Sequence, residues 1–179
     1  MKKHTFAMLL LFLALGFSAR AQNDADVVKA VRAAYSEARE KIKLADGDSS
    51  PRNDASATLR YNVPGTGPRT TVVHCYFDLD TDEDGAHYRP YFLTLKYNIA
   101  ARAFYEEYLF DPESGRLLFA FLQGDTFEGG KNEERYYYDG SGKLASANVK
   151  GERTVEDALL LSRAEDYRRL IPQFLDFSY

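Results

Sequence analysis

The chain has 179 residues with 23 Lys and Arg against 27 Asp and Glu, three His, one Cys and no Trp. Residues 1–21 contain Lys2, Lys3 and Arg20 and no acidic residue, so the remaining 158 residues carry 20 basic against 27 acidic groups, a net charge of −7. That balance argues against nucleic acid or an anionic membrane as partners, since both need clustered positive charge, and a single cysteine excludes an internal disulfide.

The first segment reads as a leader. A basic start (Lys2, Lys3), an apolar run (Met8 to Leu15) and the small-x-small stretch Ala19-Arg20-Ala21 form the pattern that a signal peptidase cuts. The run is shorter than the roughly 20 residues of a permanent membrane span, and no cysteine stands at the cut to carry a lipid anchor. The expectation is a periplasmic or secreted protein, with residues 1–21 removed, no membrane span afterwards, and 22–179 forming one domain.

Residues 24–44 are predicted helical, with Asp24 as cap and Val28, Val31, Tyr35, Ala38 and Ile42 on one face. DGDSSPRNDAS (46–56) is rich in turn formers and reads as a loop. From residue 58 to about 149 the period changes to two. Strands are expected around 59–63, 71–77, 91–97, 103–110, 116–122, 133–138 and 143–149, and short connections make them an antiparallel meander. Residues 116–122 are apolar on both faces, the signature of a central strand covered on both sides. Near the end, Thr154 and Asp157 have capping-box spacing, and a helix over 154–171 should turn Leu160, Tyr167, Leu170 and Ile171 toward the sheet, with Pro172 ending or kinking it. The fold class is therefore α+β: a meander sheet of about seven strands with an N-terminal and a C-terminal helix packed on it.

Two turns share one chemistry. YLFDPESGRLL (108–118) and YYYDGSGKLA (136–145) each run from aromatics through Asp to a tight turn ending in Gly, a basic residue and Leu. Asp at the first turn position bonds the turn backbone, and Gly supplies a positive φ. These hairpins resemble the tyrosine-aspartate repeats of bacterial surface and toxin-shell proteins, and no function is carried over from that resemblance. The last eight residues, PQFLDFSY, resemble the closing strand of an outer-membrane barrel, but the flanking helices and the shortness of most strands argue against one.

Three constellations bear on function. The loop DTDEDG places Asp80, Asp82, Asp84 and Gly85 at positions one, three, five and six of the helix-loop-helix calcium pattern, with the Ala86 carbonyl at seven; Tyr91 stands where that pattern needs a bidentate glutamate. The alternating flanks favour a hairpin tip, with weak calcium binding as the alternative. Second, Tyr76, Tyr88, Tyr91, Tyr105, Tyr108, Tyr136, Tyr137 and Tyr138 concentrate on the sheet, and on one exposed face they would form a platform for a glycan, peptide or protein. Third, Glu106-Glu107 and Glu133-Glu134 would supply glycosidase carboxylates only as a pair drawn from different strands, because neighbours on one strand diverge. His74 and Cys75 diverge for the same reason and form no thiol–imidazole pair. The expected function is non-catalytic binding without a cofactor. The alternative is a small hydrolase of glycan or cell-envelope material, which a deep pocket holding two carboxylates from different strands would favour.

Overall fold

The computed structural model describes residues 3–47 and 53–176, with side chains from Asn23 onward. The elements run α1 (Lys3–Gly47), β1 (Asp54–Val63), β2 (Gly67–Asp82), β3 (Gly85–Ile99), β4 (Arg102–Phe110), β5 (Leu117–Asp125), β6 (Lys131–Tyr138), β7 (Leu144–Lys150) and α2 (Asp157–Asp176). The seven strands form one sheet in sequential order, every neighbouring pair antiparallel. The α+β meander read from the sequence is the fold.

Period-two alternation sends each strand's apolar residues to two different cores. On one face Val73, Cys75, Leu93, Leu95, Tyr108, Ala120 and Tyr136 pack beneath Leu160 and Ala164 of α2. On the other, Tyr91, Phe92, Leu109, Phe119 and Tyr137 pack beneath Val31, Ala38 and Ile42 of α1. Strand β5 contributes to both cores, which is why its sequence is apolar on both sides. Among the described residues, no helix is long and apolar enough to cross a membrane.

The two Asp-to-Gly turns are built alike. In the β4–β5 turn, the Asp111 carboxylate accepts the Glu113 N–H at 2.9 Å, and the Gly115 N–H reaches the Asp111 carbonyl at 2.8 Å. In the β6–β7 turn, the Asp139 carboxylate accepts the Ser141 and Lys143 N–H groups at 2.9 and 3.0 Å. Gly115 and Gly142 both take positive φ, 69° and 85°, a region that costs a residue with a Cβ. The backbone bonds hold both turn carboxyls below the ordinary Asp range, helped at Asp139 first by the Ser141 hydroxyl.

Several local expectations are corrected. Helix α1 starts at Lys3, so Asp24 lies inside it and caps nothing; the stretch before it is rich in strong helix formers, Leu, Ala and Met, and joins the amphipathic part without a break. The 46–56 loop is shorter than expected, since α1 reaches Gly47 and β1 opens at Asp54; residues 48–52 lie outside the described residues. Helix α2 begins at Asp157 and continues through Pro172 to Asp176. Proline so near the helix end forfeits few backbone bonds, so the helix survives it. PQFLDFSY is therefore helical as far as Asp176, and 177–179 lie outside the described residues. On α2 Leu160 is fully buried, Tyr167 packs at the margin of the core, and Leu170 stays partly exposed. Nothing is described for the Ile171 side chain.

Candidate functional site

The repeat behind the two turns extends backward to a pair of acids. Glu106-x-Tyr108-x-Phe110-Asp111 on β4 and Glu134-x-Tyr136-x-Tyr138-Asp139 on β6 have the same spacing, so alternation turns Glu, Tyr and the next aromatic of each strand toward α2. Register then aligns the acids. Glu106 and Glu134 both stand opposite Leu122 of β5, giving the row Glu106, Leu122, Glu134 across three adjacent strands. Their backbones are two strand spacings apart, about 9.6 Å.

Both acids are buried, Glu106 at 2% and Glu134 at 1% exposure. A buried carboxylate is tolerated only when its oxygens are satisfied, and here every donor comes from the chain. Glu106 accepts the Tyr97 hydroxyl at 2.7 Å, the Tyr108 hydroxyl at 2.5 Å and the Arg163 guanidinium at 2.8 Å. Glu134 accepts the Thr154 N–H at 2.9 Å together with the Thr154 and Tyr136 hydroxyls. Burial, seconded by the charge of Glu106, pushes the Tyr97 and Tyr108 phenols up. Burial and the bond to Glu134 push Tyr136 up to about 12. All three phenols stay protonated and donate.

Thr154 corrects the capping-box expectation. Its side chain is committed to Glu134, 20 residues earlier, instead of to the first turn of α2. The carbonyl of Glu156 accepts the first helical N–H, from Leu160 at 3.0 Å, and Asp157 accepts the Tyr138 hydroxyl at 2.7 Å.

Over this row opens a cleft of about 720 Å³ between the sheet, the loop after β7 and α2. Glu106, Leu122 and Glu134 form its floor, Phe104 and Asn132 its far side, and Arg163 one wall. Gly124 is required there: a Cβ would lie 2.6 Å from the Phe104 ring, which crosses the strand to stack on Tyr97 at 5.1 Å with the planes 8° apart. At the lip, Phe127 is 89% exposed with the Arg102 guanidinium 3.8 Å from its ring centre. The cleft thus offers an aromatic wall, guanidiniums and immobilised carboxylates, and its volume falls in the range of small-molecule sites, roughly 300–1,000 Å³.

No family model, no curated protein and no solved structure matches this chain.

The eight tyrosines, which would form a platform if they shared one exposed face, are divided between the two faces of the sheet. Tyr88, Tyr108, Tyr136 and Tyr138 belong to the core under α2, while Tyr76, Tyr91 and Tyr137 belong to the core under α1. Tyr105 lies on the α1 side, giving its hydroxyl to Glu107 at 2.6 Å. Five of the eight are buried. The cause is that both faces of the sheet carry a helix, so strand tyrosines serve as core residues that pass their hydroxyls to buried acids.

The DTDEDG stretch is a hairpin tip. Asp82 faces Gly85 across a two-residue turn, and Ala86 stands opposite Thr81 in the ladder. Asp80 pairs with Arg89; Asp82 accepts the Asp84 N–H at 2.9 Å and lies 2.8 Å from His87 Nε2. Among the described residues, no group of three or more His, Cys, Asp or Glu is disposed to hold a metal ion. His74 and Cys75 point to opposite faces as expected. His74 lies 2.5 Å from Asp54 and stacks on Tyr76, while Cys75 is buried under α2, where loss of hydration pushes its thiol up to about 12.

The hairpin pair carries a pH signature. The bond between them raises His87 above 6.5 and lowers Asp82 below 3.8. The His contribution to stability is complete below its unfolded value and is lost as pH rises through the raised folded value. The Asp contribution is present above 3.8 and is lost as pH falls through the lowered one. The pair therefore acts between those two folded values. An NMR titration should find the His87 midpoint above 6.5 and returned toward 6.5 in Asp82→Asn; a midpoint indifferent to that substitution would dismiss the pair.

Proposed function

We propose that the chain is an exported, non-catalytic binding protein that holds a polar ligand, a glycan or a short peptide, in the cleft beside α2. The observation that carries this reading is the pair of buried carboxylates on the cleft floor, each held in place by three hydrogen bonds from the chain's own donors. Those bonds fix Glu106 and Glu134 in a rigid wall, which suits recognition. Export rests on the Lys2-Lys3 start, the apolar run and Ala19-Arg20-Ala21, with the mature chain beginning near Gln22. The hairpin tip at 80–85 is read as weak in calcium, millimolar at best, because its aspartates are engaged with Arg89, His87 and the turn backbone.

One observation favours the alternative, a small hydrolase. The acids come from different strands and open onto one cleft, the arrangement a glycosidase needs of its two carboxyl groups. One experiment separates the readings. Protein recovered from the periplasm, its mass fixing the mature start, is titrated with chitotetraose and with trialanine while amide shifts and product formation are followed. Binding predicts shifts at Arg102, Gly124, Asn132 and Thr154 with the probe recovered intact. Cleavage that disappears in Glu134→Gln would establish the hydrolase instead, and silence of all four amides at millimolar concentrations of both probes would overturn the ligand class.

A further inference from the structure

We infer that the slot between α1 and the opposite face of β4–β6 is a second binding site, built for a small amphiphilic anion: an apolar body carrying one carboxylate or sulfonate. The slot encloses about 310 Å³, near the lower limit of small-molecule sites. Its walls are carbon and ring, with Val31 from α1 and Phe119, Phe121 and Tyr137 from the sheet. Its floor asks nothing of a ligand. Glu107 is buried there, with the Tyr35 and Tyr105 hydroxyls each donating to it at 2.6 Å and the Arg39 guanidinium 3.8 Å away.

The mouth has the opposite character. The Arg32 guanidinium lies 5.6 Å from the Tyr137 ring centre, and that of Arg135 lies 4.8 Å from Phe121, so two cations flank an aromatic slot. Arg135 shares Glu133 at 3.0 Å, whereas Arg32 forms no ion pair among the described residues. Around the slot three guanidiniums (Arg32, Arg39, Arg135) meet two carboxylates (Glu107, Glu133), a local positive excess in a chain whose net charge beyond residue 21 is −7. An uncharged apolar ligand would leave Arg32 without a counter-charge, and a bare anion would leave the rings uncovered. An amphiphilic anion satisfies both. The site is separate from the cleft beside α2 because Glu106 and Glu107 project from opposite faces of β4 and the sheet lies between them.

The test is an amide-resolved NMR titration with phenylbutyrate beside its uncharged amide, phenylbutanamide. Phenylbutyrate should shift Arg32, Phe119, Phe121 and Tyr137 while leaving Gly124, Asn132 and Thr154 in place. Loss of one charge-assisted contact in Arg32→Gln should weaken phenylbutyrate about tenfold without changing the weaker binding of the amide, and Arg32→Lys should restore part of the loss. Arg32 is exposed and forms no ion pair among the described residues, so these variants are expected to fold. Equal affinity for acid and amide, indifference to Arg32→Gln, shifts confined to the other cleft, or no shift at millimolar phenylbutyrate would each overturn the assignment.

Discussion

Arg163→Ala is expected to destabilise the protein by about 3 kcal/mol, the low end of the range for breaking a buried ion pair from one side. Glu106, whose side chain is 3% exposed beside Arg163, would be left with two phenol donors and no counter-charge. The low end applies because the Arg163 side chain is 28% exposed, so water enters part of the space it leaves. Chemical denaturation measures the loss, and the double variant Arg163→Ala, Glu106→Gln should lose less than the two single changes together, since removing the charge removes the reason for the penalty. A midpoint unmoved by Arg163→Ala would mean that Glu106 does not depend on α2.

Leu160→Ala is the second large effect. Leu160 is fully buried where α2 meets the sheet, and truncating such a leucine costs about 2–5 kcal/mol through lost transfer energy and the cavity left behind. Its neighbour Leu159 is 57% exposed, so Leu159→Ala should fall within about 0.5 kcal/mol of the parent. The contrast between adjacent leucines checks the orientation of α2 independently of its existence, and equal losses would rotate the helix. The same reasoning favours Leu160 over Leu170 as the probe, because Leu170 is only partly covered.

The sheet was legible because its signals are local. Alternation marks a strand, Asp and Gly mark the two matched turns, and connections too short for a crossover leave an antiparallel meander as the economical solution. The doubly apolar stretch 116–122 announced that both faces would be covered. Partner choice was not legible, because it depends on residues far apart in the chain. Thr154 and Asp157 have capping-box spacing, yet Glu134 claims the threonine from 20 residues upstream. Tyrosine suits both a core and an exposed platform, and only the helix lying on each face decides between them. The carboxylates of the cleft floor did leave a trace: once the turn repeat is extended backward, Glu-x-Tyr precedes an aromatic and Asp in both copies, and alternation places the two acids on the α2 side. The flanking acids Glu107 and Glu133 concealed it, since one strand position decides which face a glutamate serves, and Glu107 is itself buried on the α1 side.

The sequential strand order also fixes how the chain reaches this structure. Each strand finds its partner immediately before or after it, so the sheet assembles from closures of small loops, the condition for rapid formation despite an all-antiparallel ladder. Helix α1 has no such neighbour. Its anchor is the Tyr35 bond to Glu107, 72 residues away, and its other partners extend to Tyr137 on β6. Helix α1, which precedes every strand, must therefore wait for β4, β5 and β6 before it has a surface to cover. Until then its apolar stripe, and the one side of the sheet meant to receive it, are open at the same time. That interval is when a holding factor would find the most to grip.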